Sequence, residues 1–273
     1  MLAQRKWRYI DDIIKKLGVN IMLLGNTGAG KSASGNTIMG EDRFLEHFSP
    51  QAVTYFSELA NTVVDGQRIT VMDTVGLSNT QVKISEAKRQ IENMLKEKDV
   101  HVFLLVVRLG DKFTEFESKL LKWIRQNFGA DIFKRTIVLF THVDQLHEPV
   151  ERYLHESKSL QSIIHQCFGR YHVFNNRDKG RAQVNELLEK IKKVRMMNGE
   201  LSRYSIRDYR KVQHDLLMKD CAIGAAVCGV MFFMIAPALG VGKAAQTGAM
   251  IGTGLLALAA FLGVIILARK CFS

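Results

Sequence analysis

Between residues 19 and 197 of this 273-residue chain, short continuous apolar runs alternate with stretches whose apolar side chains recur every three or four positions. The runs Asn20–Leu24, Ala52–Val63, Arg68–Asp73, Val102–Val107, Thr136–Phe140 and His172–Phe174 predict strands. Between them Ser32–Met39, Ser85–Leu95, Thr114–Phe128, Val150–Cys167 and Ala182–Val194 predict helices. In the last, Val184, Leu187, Leu188, Ile191 and Val194 fall on one stripe. Strands alternating with helices imply a mainly parallel sheet with helices on both faces, a three-layer α/β domain over 19–199. Asp65-Gly66 lies between two strand-like runs, so one edge strand is expected to run antiparallel.

The two ends of the chain follow other patterns. In MLAQRKWRYIDDIIKKL, Trp7, Ile10, Ile13, Ile14 and Leu17 share one helical face, which predicts an amphipathic helix over 1–18. Residues 200–220 read as a basic helical connector. Beyond it Cys221–Val241 and Ala244–Ala268 carry no charge. A helix needs about 20 apolar residues to cross a bilayer, so 221–273 is expected to be a hydrophobic helical membrane anchor of one or two transmembrane helices. The second run is the stronger span, because the first is rich in Gly and Ala and contains Pro237. A buried helical hairpin is the competing reading, but neither run has a polar face to show water.

Charge sharpens that view. The formal net charge is +11, yet beyond Asp220 there is no acidic residue and only Lys243, Arg269 and Lys270 are basic. Much of the excess lies between Lys190 and Lys219, beside the apolar tail. No aromatic-rich RNA-reading pattern or zinc-finger spacing accompanies it, so nucleic acid is not the expected partner. Anionic lipid headgroups are. If both runs cross, both ends lie in the cytosol. Cys167, Cys221, Cys228 and Cys271 form no CxxC, and no secretory leader precedes the domain, which points to a reducing compartment. Cys271 is a candidate for palmitoylation or a free thiol.

The chemistry begins where the first strand should end. GNTGAGKS, from Gly25 to Ser32, fits GxxxxGK[ST]. A loop that wraps a phosphate must turn tightly and aim backbone N–H groups inward, which Gly28 and Gly30 permit. The helix that follows adds its positive dipole end. Lys31 is expected to bridge the β- and γ-phosphates and the Ser32 hydroxyl to bind Mg²⁺. Asp73, at the end of RITVMD, is the expected carboxylate partner of that ion, and the Gly76 N–H the contact to a γ-phosphate. After TIVLF comes Thr141-His142-Val143-Asp144, where Asp144 stands in the place of the Asp of the guanine reader Asn-Lys-x-Asp. Asn175 or Asn176 is the candidate for the opposite edge of the base.

GNTGAGKSASGNTIMG, DTVGL, HVFLLVVRLGDKFTEFE, TIVLFTHVDQL and RYHVFNN in series resemble the GTPases of immunity-associated proteins (the GIMAP, or AIG-type, family), relatives of septins and of the chloroplast import GTPases. The resemblance covers residues 19–197. It implies a P-loop GTPase fold, GTP or GDP with Mg²⁺ as cofactors, and a likeness of the tail to members with hydrophobic anchors. It implies that Gly25, Asn26, Thr27, Gly28, Ala29, Gly30, Lys31, Ser32 and Ala33 hold the phosphates. Thr54 is then the switch-I threonine that binds Mg²⁺ beside Ser32 and Asp73, with Lys31, Ser32 and Thr54 the groups closest to catalysis. Asp73 and Gly76 form the third motif, His142 and Asp144 the guanine reader, and Asn175 the fifth motif. Two departures stand out: Val75 replaces the family's proline, and the block before His101 lacks its Pro-Gly-rich lead-in.

Leu77 follows Gly76, where many small GTPases place the glutamine that orients the attacking water. An apolar side chain cannot do that, so intrinsic hydrolysis is expected to be slow unless a second molecule supplies a group. The expected function is a membrane-anchored guanine-nucleotide-binding protein, a slow GTPase that pairs or assembles through its G domain on the cytosolic face of an intracellular membrane. The alternatives are a nucleotide-binding scaffold without hydrolysis, or a hydrolytic P-loop ATPase. His101 and His172 are expected at strand starts, outside any metal site.

Overall fold

The computed structural model describes residues 18–45, 58–76, 81–110, 115–199 and 202–235. Six strands form one sheet: β1 (Val19–Gly25), β2 (Glu58–Val64), β3 (Gln67–Asp73), β4 (Val102–Arg108), β5 (Thr136–Thr141) and β6 (Tyr171–Val173). Their order is β2-β3-β1-β4-β5-β6. β1 lies between β3 and β4, parallel to both, with Leu23 opposite Asp73 and Gly25 opposite Val106. Only β2 runs antiparallel, paired to β3 along its length. The turn between them uses Asp65 (φ 49°) and Gly66 (φ 77°), the two left-handed residues that a tight hairpin requires.

The strands are apolar on both faces because both are covered. Successive side chains of β1 point to opposite sides, and the core divides accordingly. Ile21 and Leu23 join Val71, Leu104, Val106 and Leu139 under α1 (Lys31–Met39) and α6 (Ala182–Met197). Met22 and Leu24 join Phe103, Leu105 and Phe140 on the other face. That face packs against α2 (Gln81–Glu97), α3 (Glu115–Phe128), α4 (Val150–Glu156) and α5 (Lys158–Gln166).

Three expectations change. The helix predicted over Val150–Cys167 is two helices, broken at Ser157, whose backbone is extended (φ −89°, ψ 100°). Its hydroxyl accepts from the Leu160 N–H at 3.3 Å, so a serine in mid-pattern became a cap. The last strand is Tyr171–Val173, with Phe174 just past its end yet fully buried.

The predicted connector also begins as part of the domain. Tyr204 and Val100 exchange backbone hydrogen bonds at 2.7 and 2.9 Å, and Tyr204 Oη donates to Phe128 O at 3.0 Å. Tyr204 and Tyr209 sit in the core with their rings against Phe128. Ser205 and Asp208 then cap each other at the start of α7 (Ile206–Ile235).

The chain divides into two units at Arg210. Of the second, the described part is α7 beyond that residue. Among the described residues no helix is long and apolar enough to cross a membrane. α7 carries the charged residues up to Asp220 before it enters the first charge-free run, whose remainder lies outside the described residues. So do the N-terminal helix predicted over 1–18 (up to residue 17), Ala52–Ser57 of the second predicted strand, Thr54 and Leu77.

His101 and His172 are structural. His101 Nδ1 accepts from the Asn20 N–H at 2.9 Å, and burial pushes the imidazole down to about 3. His172 Nε2 donates to Gln183 O at 2.7 Å, and burial lowers it too.

Candidate functional site

The carboxyl ends of β1, β3 and β5 meet at one rim of the sheet, and the sequence motifs meet there. β1 must end in glycine: a Cβ at Gly25 would lie 2.6 Å from Val106 O on β4. The loop then turns through Gly28 (φ 79°) and Gly30 (φ 89°), with Gly30 as the left-handed N-cap of α1. The first turn of α1 leaves backbone N–H groups without intrahelical partners, facing the loop's concavity.

Lys31 curls back over this loop. Its Nζ donates to Gly25 O at 3.3 Å and Asn26 O at 3.0 Å, which leaves one ammonium N–H for an incoming anion. The side chain is buried, and that burial pushes the ammonium down to about 8, with Asp73 opposing the shift. Ser32 Oγ donates to Asp73 Oδ2 at 2.6 Å. Asp73 is itself buried, and its other oxygen, Oδ1, has no partner. Burial raises the Asp73 carboxyl, against the pull of Lys31 and of the Ser32 hydrogen bond.

A buried carboxylate oxygen without a partner costs about 1–3 kcal/mol or more, so this arrangement is incomplete as it stands. The arrangement suits a cation that prefers hard oxygen donors. The hydroxyl of Ser32 and the carboxylate of Asp73 are such donors, so the pair fits Mg²⁺ bound with water and phosphate oxygens. Beside it, Thr74 Oγ1 donates to Leu23 O at 2.6 Å and pins the end of β3 to β1.

Gly76 packs directly on the phosphate loop. A Cβ there would lie 2.6 Å from Thr27 Cα and 2.7 Å from Thr27 N. Val75, in place of the family's proline, is buried in the core. Ala33, on α1, accepts from Thr37 Oγ1 at 2.9 Å.

The base-side residues lie across the loop. Thr141 Oγ1 donates to Ala29 O at 2.8 Å and lies 2.9 Å from His142 Nδ1. With the hydroxyl proton committed to Ala29, His142 Nδ1 is the donor of that second bond. His142 is left-handed (φ 60°), which turns the chain into the 3₁₀ segment Val143–Gln145 that carries Asp144. A Cβ on Gly30 would lie 3.3 to 3.5 Å from Thr141 Oγ1, His142 Cε1 and Asn176 Nδ2, so three motifs converge there.

The two asparagines make hydrogen bonds within the domain. Asn176 braces α1: its Oδ1 lies 2.9 Å from Thr37 Oγ1, which shares its one proton between this oxygen and Ala33 O, and its Nδ2 donates to Ser34 Oγ at 3.3 Å. Asn175 Oδ1 accepts from the Arg177 N–H at 3.0 Å, an Asx turn. Gln183, which the sequence did not single out, ties this loop to α6. Its Oε1 accepts from the Asn175 N–H, and its Nε2 donates to Asn175 O and Asp178 O, all at 3.0 Å. Arg177, also unforeseen, stands 3.1 Å from Asp144 through Nη1.

A family model described as the AIG1 family matches residues 19–220. The chain belongs to the AIG1 family. It is 34% identical over 177 residues to GTPase IMAP family member 8 of Mus musculus, covering 62% of this chain and 26% of that one. It is 31% identical over 206 residues to immune-associated nucleotide-binding protein 1 of Arabidopsis thaliana, covering 71% and 91%. The chain thus spans about a quarter of the length of the mammalian relative. Among solved structures, Toc33 from Arabidopsis thaliana in complex with GDP and Mg²⁺ superposes with a TM-score of 0.57 at 23% identity, covering 74% of this chain and 94% of that one. Era in complex with MgGDPNP and a fragment of 16S ribosomal RNA gives 0.50 at 22%, covering 64% and 56%. These likenesses bear out the α/β GTPase fold, and the AIG1 assignment bears out the resemblance carried by the motifs.

Proposed function

We propose that this AIG1-family chain binds GTP and GDP with Mg²⁺ at the rim formed by Gly25–Ala33, Asp73, Gly76 and Asp144, and hydrolyses GTP slowly to GDP and phosphate. The observation that carries the reading is the buried Asp73 carboxylate, hydrogen-bonded to Ser32 through Oδ2 and unpartnered at Oδ1, beside a desolvated Lys31. A bound Mg²⁺ neutralises charge on the phosphates. The chain's own residues hold and orient: backbone amides and Lys31 the phosphates, Ser32 and Asp73 the ion's position, Asp144 the base. Asp144 favours guanine over adenine, because a carboxylate accepts from N1–H and N2–H₂, donors that adenine lacks at that edge. Thr54 would complete the ion's shell in the GTP form.

Leu77 supplies no group to orient water, so a second copy is the proposed source of one. A similar solved structure supports this reading: it is described by the statement that dimerisation is important for the GTPase activity of the chloroplast translocon components atToc33 and psToc159. We place the G domain on the cytosolic face of an intracellular membrane, held by the apolar segment after Asp220, with lipid as a partner and nucleic acid not. The same Leu77 favours one competing reading, a scaffold that holds nucleotide without hydrolysis. Size-exclusion chromatography of the detergent-purified full chain with GDP and with a non-hydrolysable GTP analogue tests the assembly. A larger species with the analogue alone supports it, and identical profiles refute it. Single-turnover hydrolysis across protein concentration separates the slow GTPase, whose rate climbs with concentration, from the inert scaffold.

A further inference from the structure

The side chain of Asp144 is 18% exposed, and its partner Arg177 is 79% exposed. Among the described residues no other ion pair or hydrogen bond reaches that carboxylate. The backbone of Arg177 is held independently, by Asn175 Oδ1 and by the Gln183 bridge to Asn175 and Asp178. A fixed loop therefore presents a long cation to the residue proposed to read the base.

Arg177 meets that carboxylate through Nη1 alone, and its head group shares its chemistry with the base edge. The N1–C2–N2 edge of guanine is a guanidine fragment, with N–H donors on two nitrogens bonded to one carbon. An arginine head group offers a carboxylate the same fork. We infer that Arg177 is an internal competitor for guanine, which holds Asp144 and must release it when the base enters. This rests on the reading of Asp144 as the base reader. Adenine presents an acceptor and a C–H at that edge and cannot displace the arginine, so Arg177 lowers guanine affinity without lowering that for adenine. It thereby sets how far the site discriminates between them.

Removing a cation near a polyanion ordinarily weakens binding, so the inference predicts the opposite sign. In the full chain purified in detergent, Arg177→Ala should bind fluorescent GDP about two- to fivefold tighter, the range of an exposed ion pair. ATP binding should be unchanged or weaker, and Arg177→Lys, which keeps one charged donor, should fall between Arg177→Ala and the wild type. In an Asp144→Ala background the Arg177→Ala effect should vanish. Weaker GDP binding by Arg177→Ala, unchanged binding, or tightening that persists without Asp144 would each overturn the inference. If Asp144→Ala alone leaves the preference for GDP over ATP intact, the base reading falls with it. If that preference is lost while Arg177→Ala fails to tighten, only the competitor is refuted.

Discussion

Lys31→Met separates what the ammonium does for the ligand from what it does for the fold. In the protein without nucleotide, burial holds Lys31 at about 8 against an ordinary 10.5. At about 1.36 kcal/mol per pKa unit, that is an unfavourable environment of ~3 kcal/mol. Methionine removes this burden and fills much the same volume. It also strips a donor from Gly25 O and Asn26 O, at about 1 kcal/mol each. The terms oppose each other and nearly cancel. The apo protein should therefore melt within about 4 °C of the wild type, the shift that ~1 kcal/mol produces in a domain of this size. Binding has no such compensation. A charge-assisted hydrogen bond to phosphate contributes about 1.5–3 kcal/mol, so GDP affinity should fall about ten- to hundredfold. Differential scanning fluorimetry with and without GDP, beside a fluorescent-GDP titration, reads both numbers. If the variant binds GDP within threefold of the wild type, Lys31 does not hold phosphate. If its apo melting point collapses, the lysine is a structural tie and the reasoning fails.

Three further outcomes follow from the geometry. The Lys31 ammonium is depressed in the empty protein and is restored when an anion binds, so the linkage has a definite sign. GDP affinity should fall by up to about tenfold per unit as the pH rises from 8 to 9, a slope that Lys31→Met should lessen; a flat wild-type profile over that range would contradict it. Among the described residues Tyr209 Oη is buried without a hydrogen bond, whereas Tyr204 Oη donates to Phe128 O. Chemical denaturation should therefore show Tyr209→Phe stabilising by about 1 kcal/mol and Tyr204→Phe destabilising by a similar amount, and equal effects would count against the packing described. Gly76→Ala places a methyl against the Thr27 backbone, so it should weaken binding of a non-hydrolysable GTP analogue at least about tenfold, and wild-type affinity would show that this close approach is dispensable.

Much of the sheet was legible because burial on both faces writes a strand as an unbroken apolar run, as in Ile21–Leu24 and Val102–Val107. The phosphate loop was legible because its backbone demands glycine and its ligand demands lysine. Features set by distant partners left no local trace. Helical periodicity continues on both sides of Ser157, so nothing in the pattern marks the break. Tyr204 and Tyr209 alternate with charged neighbours and read as a connector, although both are core residues. Asn176 bonds to residues on α1 roughly 140 positions away, and Gln183 closes its loop from the first turn of α6. Arg177 carried the faintest of signals, a single basic residue after the asparagine pair.

In the proposed site the Ser32–Asp73 pair and Lys31 together bind nucleotide in a magnesium-dependent way. Calorimetric titration of the detergent-purified full chain with GDP, in magnesium buffer and again in excess chelator, tests it most directly. One GDP should bind per chain, at least about tenfold more tightly with magnesium, with no such difference in Asp73→Asn. Uptake that is equal with and without magnesium, or no uptake at all, would contradict it.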